Sequence, residues 1–409
     1  GHLDLAKKTG ATIVYGPNVN TIFECYNASD NEEFKIGKIT LKALHTPGHT
    51  LESITYLLID ENGKNHAIFT GDTLFLGDVG RPDLAIKSDL TEKDLAGMLF
   101  KSLRIKIMTL EDSVIVYPAH GAGSACGKNL SKETVGTLGD QKKNNYALRA
   151  NMSKDEFVKE VLDGIGEPPQ YFSKNAKLNQ SGYSELDKVL ENGNNPLSVS
   201  EFESLATDSN ILVLDVRTQK DFIENHIPGA LFIGLNGGFA PWVGALISNI
   251  KQGILLVVPE GKSEEAITRL ARVGYDYTLG YLEGGMQAWI AAGKTSEQLT
   301  SISSIEFQQR TKKEVLSVLD VRKEGEYDTM HLKLDGLRHL SLGQINHRLD
   351  EIDTQETYYI HCAGGYRSVI AASILKANGF HNVIDIAGGF AAIKQTDLSL
   401  TDSTCPSIL

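Results

Sequence analysis

The sequence predicts a multidomain α/β protein, and three observations carry that expectation: a chain of 409 residues, a long internal repeat, and an upstream region of short strands whose ends bear His and Asp. At roughly 100 to 200 residues per domain, the length accommodates two to four domains, each able to bury a core. The formal net charge is −12, with acids and bases interspersed, which argues against nucleic acid or an anionic membrane surface as a partner. No apolar run approaches the roughly 20 residues of a membrane span, and no signal-peptide pattern opens the chain, so the expectation is a cytoplasmic protein. The four cysteines, Cys25, Cys126, Cys362 and Cys405, lack CxxC spacing. A disulfide framework or structural zinc cluster is therefore not expected, and each cysteine counts as an individual thiol.

Taken in chain order, "GHLDLAKKTGATIVYGP" reads as a helix leading to a strand, and residues 1–125 alternate short strands with turns. "ITYLLIDENGKNHAIFTGD" predicts a hairpin turning at Glu61-Asn62-Gly63. Residues from about 130 to 165 read as helical, and "GEPPQYFSKNAKLNQSG" as an extended connector. In "LHTPGHTLES" a Pro-Gly turn sets His49 at a strand end; "FTGDTLF" sets Asp72 at another, and "VYPAHGAG" sets His120 at a third. Singly, each is by default a hydrogen-bonded loop His or a capping Asp. Together, two imidazoles and a carboxylate on successive strand ends point to one divalent cation, and two His with one carboxylate is the face that suits non-haem Fe(II).

The repeat follows. "VLDVR" occurs at 213–217 and again at 318–322, "HIPGA" at 226 is matched by "HLKLDG" at 331, and "LEGGMQAWIAAG" at 282 by "IAGGFAAIKQ" at 386. The copies are about 105 residues apart. Each opens on a Ser with a Glu three residues later, Ser200 and Glu203 or Ser303 and Glu306, the signature of a capped helix start. Apolar runs then suit buried parallel strands, and helices end at Gly274 or at Asn378-Gly379. The expected organisation is a first domain over 1–170, a linker over 171–195, two small α/β domains with parallel sheets over 196–296 and 300–396, and a tail over 397–409.

"YIHCAGGYRSVIAASIL", residues 359–375, reads as a strand ending on Cys362, a Gly-rich turn, and a helix starting near Ser368. Gly364 and Gly365 let the backbone curl, Arg367 adds positive charge, and the helix N-terminus favours an anion at the sulfur. Ala363, Gly364, Gly365, Tyr366 and Ser368 are thus the expected cradle around a nucleophilic Cys362. Asp320 and Arg322 read as a structural ion pair and His361 as a packed strand residue. The first copy has "VVPEGKSEEA" where the loop should be, with no cysteine between 126 and 362, and reads as a scaffold or docking domain.

On these motifs the repeat pair resembles rhodanese domains, which implies that Cys362 carries a sulfane sulfur as a persulfide with Arg367 beside it. The span from Cys362 to Arg367 resembles the sulfur-transferring branch, since phosphatase-like relatives use a loop one residue longer. The upstream region, on "TPGHT" and "GD", resembles the metallo-β-lactamase superfamily, in particular its persulfide dioxygenases and glyoxalase II. That resemblance implies an αββα sandwich, His49 and Asp72 as metal ligands, and His120 at a position that holds a second metal in dinuclear members and stands behind the ligands in mononuclear ones. It implies one Fe(II) per chain, with Zn as the alternative. The superfamily's His-x-His-x-Asp-His motif is absent, and relatives carry it just before a segment like "GHLDLA". The expectation is that the motif and the first strands precede Gly1, and that His2 is a helix residue outside the motif.

"GDVGRPDL" at 77–84, with Arg81 and Asp83, resembles the dioxygenase branch. Arg81, Cys126 and Lys128 are the substrate-binding candidates. The resemblance as a whole implies oxidation of low-molecular-weight persulfides to sulfite and interconversion of sulfite plus persulfide with thiosulfate, in sulfide detoxification. The partners implied are a small-molecule persulfide or thiol, dioxygen, sulfite and thiosulfate, within a homodimer or homotetramer. A zinc thioester hydrolase with a sulfur-carrier domain and a non-enzymatic sulfur-relay or sensor protein stay open, because the ligand set alone does not separate them.

Overall fold

The computed structural model describes residues 1–83, 90–121, 127, 130–165 and 171–402. They divide into two compact units, Gly1–Tyr183 and Ser184–Leu409.

The first unit opens with the helix His2–Thr9, which contains His2 as expected, followed by a small parallel pair, β1 (Val14–Tyr15) and β2 (Tyr26–Asn27). A six-stranded sheet then runs in sequence order through β3 (Glu33–Ile36), β4 (Ile39–His45), β5 (Ile54–Ile59), β6 (Asn65–Gly71), β7 (Ile115–Pro118) and β8 (Gly136–Thr137). The expected hairpin joins β5 to β6. Its turn is closed by Gly63 at φ 76° and by the Asp60 carboxylate, which accepts from the amides of Asn62 and Lys64. Leu44, Leu57, Ile68 and Val116 on one face pack against Leu99, Leu103 and Phe157 from the helical segments Glu92–Ser102, Leu103–Ile107 and Lys154–Leu162. Each such side chain, fully buried, is worth about 1.5 to 3 kcal/mol. The described residues therefore contain one large sheet of the expected sandwich. Its other face carries Phe69 and Tyr117, 42% and 39% exposed, with their rings stacked.

Strand direction places the site. Because β4 is antiparallel to β5, β5 to β6, and β6 is parallel to β7, the C-terminal ends of β4, β6 and β7 leave the same edge of the sheet.

The second unit contains two sheets of five parallel strands with one shared order. The first comprises β9 (Pro196–Leu197), β10 (Ile211–Asp215), β11 (Leu231–Phe232), β12 (Gly253–Val257) and β13 (Thr278–Leu282), ordered β11-β10-β12-β13-β9. The second comprises β14 (Thr300–Ile302), β15 (Ser317–Asp320), β16 (Leu337–His339), β17 (Tyr358–His361) and β18 (Val383–Ile386), ordered β16-β15-β17-β18-β14. All five positions of the two orders correspond strand for strand, so the repeat in the sequence is a repeat of topology. β12 is buried over Ile254–Val257 and β17 throughout, as central parallel strands covered on both faces must be.

Two local expectations need correction. The first copy's capping box is Ser198 with Glu201, two residues before the expected Ser200 and Glu203, whereas Ser303 caps the second copy by accepting from the Glu306 amide as expected. Two nearby Ser-x-x-Glu pairs overlap in the first copy, and the helix takes the earlier one, with Phe202 fully buried. The expected extended connector is helical over Tyr171–Ser181, and the following helix Leu186–Gly193 buries Val189 and Gly193. Its polar residues had masked a chain that Gly and Pro interrupt only at its ends. Among the described residues no helix is long and apolar enough to cross a membrane.

Candidate active sites

Cys362 follows β17 directly and is 1% exposed. The chain turns through Ala363, Gly364 and Gly365 into the helix Tyr366–Ala377, which starts two residues earlier than expected. Gly365 takes φ 94°, a left-handed conformation costly for any residue with a Cβ, and its amide donates to the Cys362 sulfur at 3.1 Å. The thiol in turn approaches the Ser368 hydroxyl at 3.6 Å. The turn is clamped from below: the Phe390 amide donates to the Cys362 carbonyl at 2.6 Å and the Ala391 amide to the Ala363 carbonyl at 2.9 Å. A Cβ on Gly389 would strike the Cys362 carbonyl, and Gly389 also takes a left-handed φ of 56°, so both the approach and the backbone call for glycine there. The result is a buried sulfur facing a backbone N–H at a helix N-terminus, a site that favours an anion.

Arg367 does not bring an unshared positive charge to this loop. Its two terminal nitrogens bond both carboxylate oxygens of Glu326, at 2.6 and 2.8 Å. Burial lowers the guanidinium pKa, but the Glu326 bonds and the nearby Cys362 more than offset it, so the group stands above its ordinary value. Asp320 and Arg322 form a buried bidentate pair, and Arg322 also bonds the carbonyls of Glu326 and Met330, tying the helix Glu324–Thr329 to β15. Asp215 and Arg217 repeat that pair in the first copy. His361 is fully buried and stacked on Phe390, with its pKa lowered by burial. In the first copy the equivalent turn runs Pro259-Glu260-Gly261 into the helix Ser263–Ala271, and it presents no nucleophile.

At the common edge of β4, β6 and β7, three side chains converge. His49 Nε2 lies 3.3 Å and His120 Nε2 3.5 Å from the same oxygen, Asp72 Oδ2. The His49 Nδ1 meets the Arg81 carbonyl at 2.9 Å, and His120 Nδ1 approaches the Gly121 carbonyl at 3.3 Å. A carbonyl only accepts, so each Nδ1 carries the proton and each Nε2 turns a lone pair toward the carboxylate. Three electron-pair donors facing one another need a cation or a shared proton between them. Two ligands about 2.1 Å from one ion stand roughly 3.0 to 3.4 Å apart, close to the spacings seen here. The backbone is shaped for this approach: a Cβ on Gly80 would run into the Asp72 carbonyl and crowd the His49 ring, and one on Gly48, at φ 148°, would clash with Leu99.

The three fit as part of a metal shell and not as a whole one. Among the described residues no group of three or more His, Cys, Asp or Glu side chains is arranged to hold an ion by itself. The Arg81 guanidinium forks onto Asp83 at 2.6 and 2.7 Å and is 7% exposed, so it is turned into the protein, while its carbonyl orients His49. Cys126 and Lys128 lie outside the described residues.

A family model described as rhodanese-like domain matches residues 198–292 and 303–396. A solved structure, a metallo-β-lactamase from Staphylococcus aureus subsp. aureus COL, is 30% identical with a TM-score of 0.57, over 68% of this chain and 78% of that one. The chain belongs to the fusions of a metallo-β-lactamase fold with rhodanese-like domains. The first unit of this fusion holds the His-Asp cluster and the second its two rhodanese-like copies, a mixed α/β architecture throughout. Among curated relatives, probable hydroxyacylglutathione hydrolase glo2 of Schizosaccharomyces pombe is 34% identical over 120 residues, 29% of this chain and 42% of that protein. Glyoxylase B2 of Dictyostelium discoideum is 30% identical over 131 residues, 32% of this chain and 40% of that protein. The fusion spans about two fifths of the length of these curated relatives.

Several residues that build the two sites in this fusion escaped the sequence reading. Glu326, the partner of Arg367, lies 41 positions away in a stretch of ordinary charged residues, and nothing in the sequence pairs them. Gly389 had a usable signal, since the Gly-Gly occurs in both copies, with left-handed φ at Gly284 and Gly285 as well as at Gly388 and Gly389.

Proposed function

We propose that Cys362 is a sulfur carrier and that the His49, Asp72 and His120 cluster serves the oxidation of a low-molecular-weight persulfide by dioxygen. The observation that carries the first half is the 3.1 Å bond from the Gly365 amide to a buried Cys362 sulfur at a helix N-terminus. With thiosulfate as donor, the Cys362 thiolate attacks the outer sulfur, the S–S bond breaks, and sulfite leaves with the electron pair. The cysteine persulfide then yields its outer sulfur to an acceptor thiolate and Cys362 returns to the thiolate. In the opposite direction sulfite attacks the persulfide and leaves as thiosulfate. No net oxidation occurs in either direction, and the Gly365 N–H would stabilise the Cys362 sulfur in the thiolate stages, when it carries the charge.

At the other cluster, His49 and Asp72 would supply part of the metal's ligand shell with His120 beside them, behind the ligands or at a second metal, and Nδ1 of each imidazole is fixed by a carbonyl so that Nε2 points inward. Fe(II) bound there supplies the redox chemistry by which persulfide, dioxygen and water become thiol, sulfite and two protons. Gly80 and Arg81 keep His49 in place, and the Arg81–Asp83 pair stiffens the segment that carries them. Sulfite from one site is a substrate for the other, which is the sense of the fusion in sulfide detoxification. A second reading, a zinc thioester hydrolase beside the same sulfur carrier, is favoured by the alignment with the hydroxyacylglutathione hydrolase.

The test is metal content on anaerobically purified full-length protein, paired with oxygen uptake on adding a thiol persulfide and with transfer of sulfur from thiosulfate to cyanide. About one iron per chain with oxygen uptake is the expected result. Zinc without uptake sinks the dioxygenase in favour of the hydrolase, and transfer that survives Cys362→Ser sinks the carrier.

A further inference from the structure

The side chain of Tyr366 leaves its own domain. Tyr366 is the first residue of the helix Tyr366–Ala377, immediately after the Gly365 whose amide meets the Cys362 sulfur. Its hydroxyl donates to the Gly234 carbonyl of the cysteine-less copy at 2.8 Å, and its ring meets Phe232 edge-on at 5.8 Å between centroids. Gly237 completes the seat. A Cβ there would fall inside the Tyr366 ring, yet Gly237 has no left-handed φ, so nothing in its own backbone calls for glycine. Farther along the same helix the Phe232 amide donates to the Ser373 hydroxyl at 3.0 Å, and Lys376 pairs with Glu297 at 2.9 Å. Burial raises the Tyr366 phenol well above its ordinary value, which keeps it a neutral donor.

We infer that the cysteine-less copy sets the geometry of the sulfur-bearing loop through Tyr366, a positioning residue seated in a notch formed by Phe232, Gly234 and Gly237. The inference rests on the reading of Cys362 as a sulfur carrier and adds to it a function for the copy that lacks a nucleophile. The physical argument is about rotation. A helix held to its own sheet can still turn slightly about its axis, and such a turn carries the amide at its N-terminus along with the rest of the helix. Here that amide belongs to Gly365, the one that meets the sulfur. Tyr366 and Ser373 fix the same helix to the first copy at its start and middle, and Lys376 ties its end to Glu297 of the segment between the copies, which is bonded to His226 of the first copy, so the first turn cannot rotate without breaking the Gly234 bond. Misplacement of a stabilising donor by even an ångström is enough to slow a group transfer.

The test uses the full chain, thiosulfate as donor and cyanide as acceptor. Tyr366→Ala should lower kcat about tenfold while KM for thiosulfate stays within about twofold, since the donor is misplaced and the substrate site is not removed. Tyr366→Phe, which keeps the ring in the notch and loses only the Gly234 bond, should recover most of that loss. Gly237→Ala, a change in the other copy, should lower kcat by a similar factor because the new methyl expels the ring. Added to Tyr366→Ala it should cost nothing more, because the ring it collides with is gone. Unchanged kcat in Gly237→Ala and Tyr366→Ala overturns the inference, as does a fall in Tm alone or two losses that multiply. Should Tyr366→Ala fail to fold, Gly237→Ala measured with and without Tyr366→Phe decides: wild-type kcat in Gly237→Ala overturns the inference. Transfer that persists in Cys362→Ser is a separate outcome, which removes the carrier itself.

Discussion

Arg367 is joined to Glu326 through both terminal nitrogens and both carboxylate oxygens, at 2.6 and 2.8 Å. Burial alone would raise the Glu326 pKa, but Arg367, the Lys323 amide and Arg322 reverse this and hold it below the ordinary glutamate value. A carboxyl with a depressed folded pKa stabilises the fold above its unfolded pKa and loses that contribution as pH falls through the folded one. The pair should therefore contribute in full at neutral pH, begin to lose that contribution as pH drops below about 4.3, the unfolded glutamate range, and break only at the lower pH where Glu326 protonates in the folded protein. In a plot of Tm against pH, Glu326→Gln should lower the neutral plateau and remove part of the acid-side decline. An unchanged acid limb would contradict the pairing.

Gly365 holds φ 94° and an added Cβ would sit 3.2 Å from the Gly388 amide nitrogen. Gly365→Ala should cost about 1 to 2 kcal/mol from the left-handed conformation alone. For a unit of this size that corresponds to a fall in Tm of about 2 to 8 °C by calorimetry. Thiosulfate to cyanide transfer should fall further than the stability loss explains, because the amide that meets the sulfur moves. Normal transfer with lowered Tm would show that this amide is not needed.

Gly80 lets the backbone approach Asp72 and the His49 ring. Gly80→Ala should displace both and weaken metal retention about 10- to 100-fold, the range seen when groups supporting metal ligands are lost. Competition with a chelator, followed by elemental analysis, measures this. Retention equal to wild type would mean that the metal, if bound, is held elsewhere.

Because the two sites lie in separate compact units, their activities should separate. Asp72→Ala should abolish retained iron and persulfide-dependent oxygen uptake, while sulfur transfer through Cys362 stays within about twofold of wild type. Treatment with a chelator should give the same split. Joint loss of both activities in Asp72→Ala would show that the sites are not independent.

Much of this architecture was legible because it rests on local or periodic signals. The repeat of "VLDVR" and of the Gly-Gly marks equivalent strands and turns, and Pro-Gly before His49 or Gly before Asp72 marks strand ends. What escaped depends on contacts between distant segments. Arg367 reads as a free charge until Glu326 is seen beside it, and Tyr366 reads as a loop residue until its hydroxyl is found on Gly234. Arg81 is the instructive case. The motif around it marked the position, but the guanidinium is spent on Asp83, and the backbone carbonyl, to which side-chain identity is blind, does the orienting. The connector misled for a different reason: helix over 171–181 follows from the absence of Gly and Pro between Tyr171 and Ser181, a weak preference that polar composition obscured.

The clamp beneath the sulfur has a consequence for turnover. The carbonyls of Cys362 and Ala363 are both taken by amides from the Gly388–Gly389 corner, and the thiol side is met by Gly365. Two carbonyls and one amide of the turn are therefore held in place on either side of the sulfur. On the proposed role of Cys362, the clamped carbonyls should keep the backbone shape through loading and unloading, reorganisation should fall on the incoming and outgoing molecules, and amide hydrogen exchange at Phe390 and Ala391 should be equally slow in the loaded and unloaded protein.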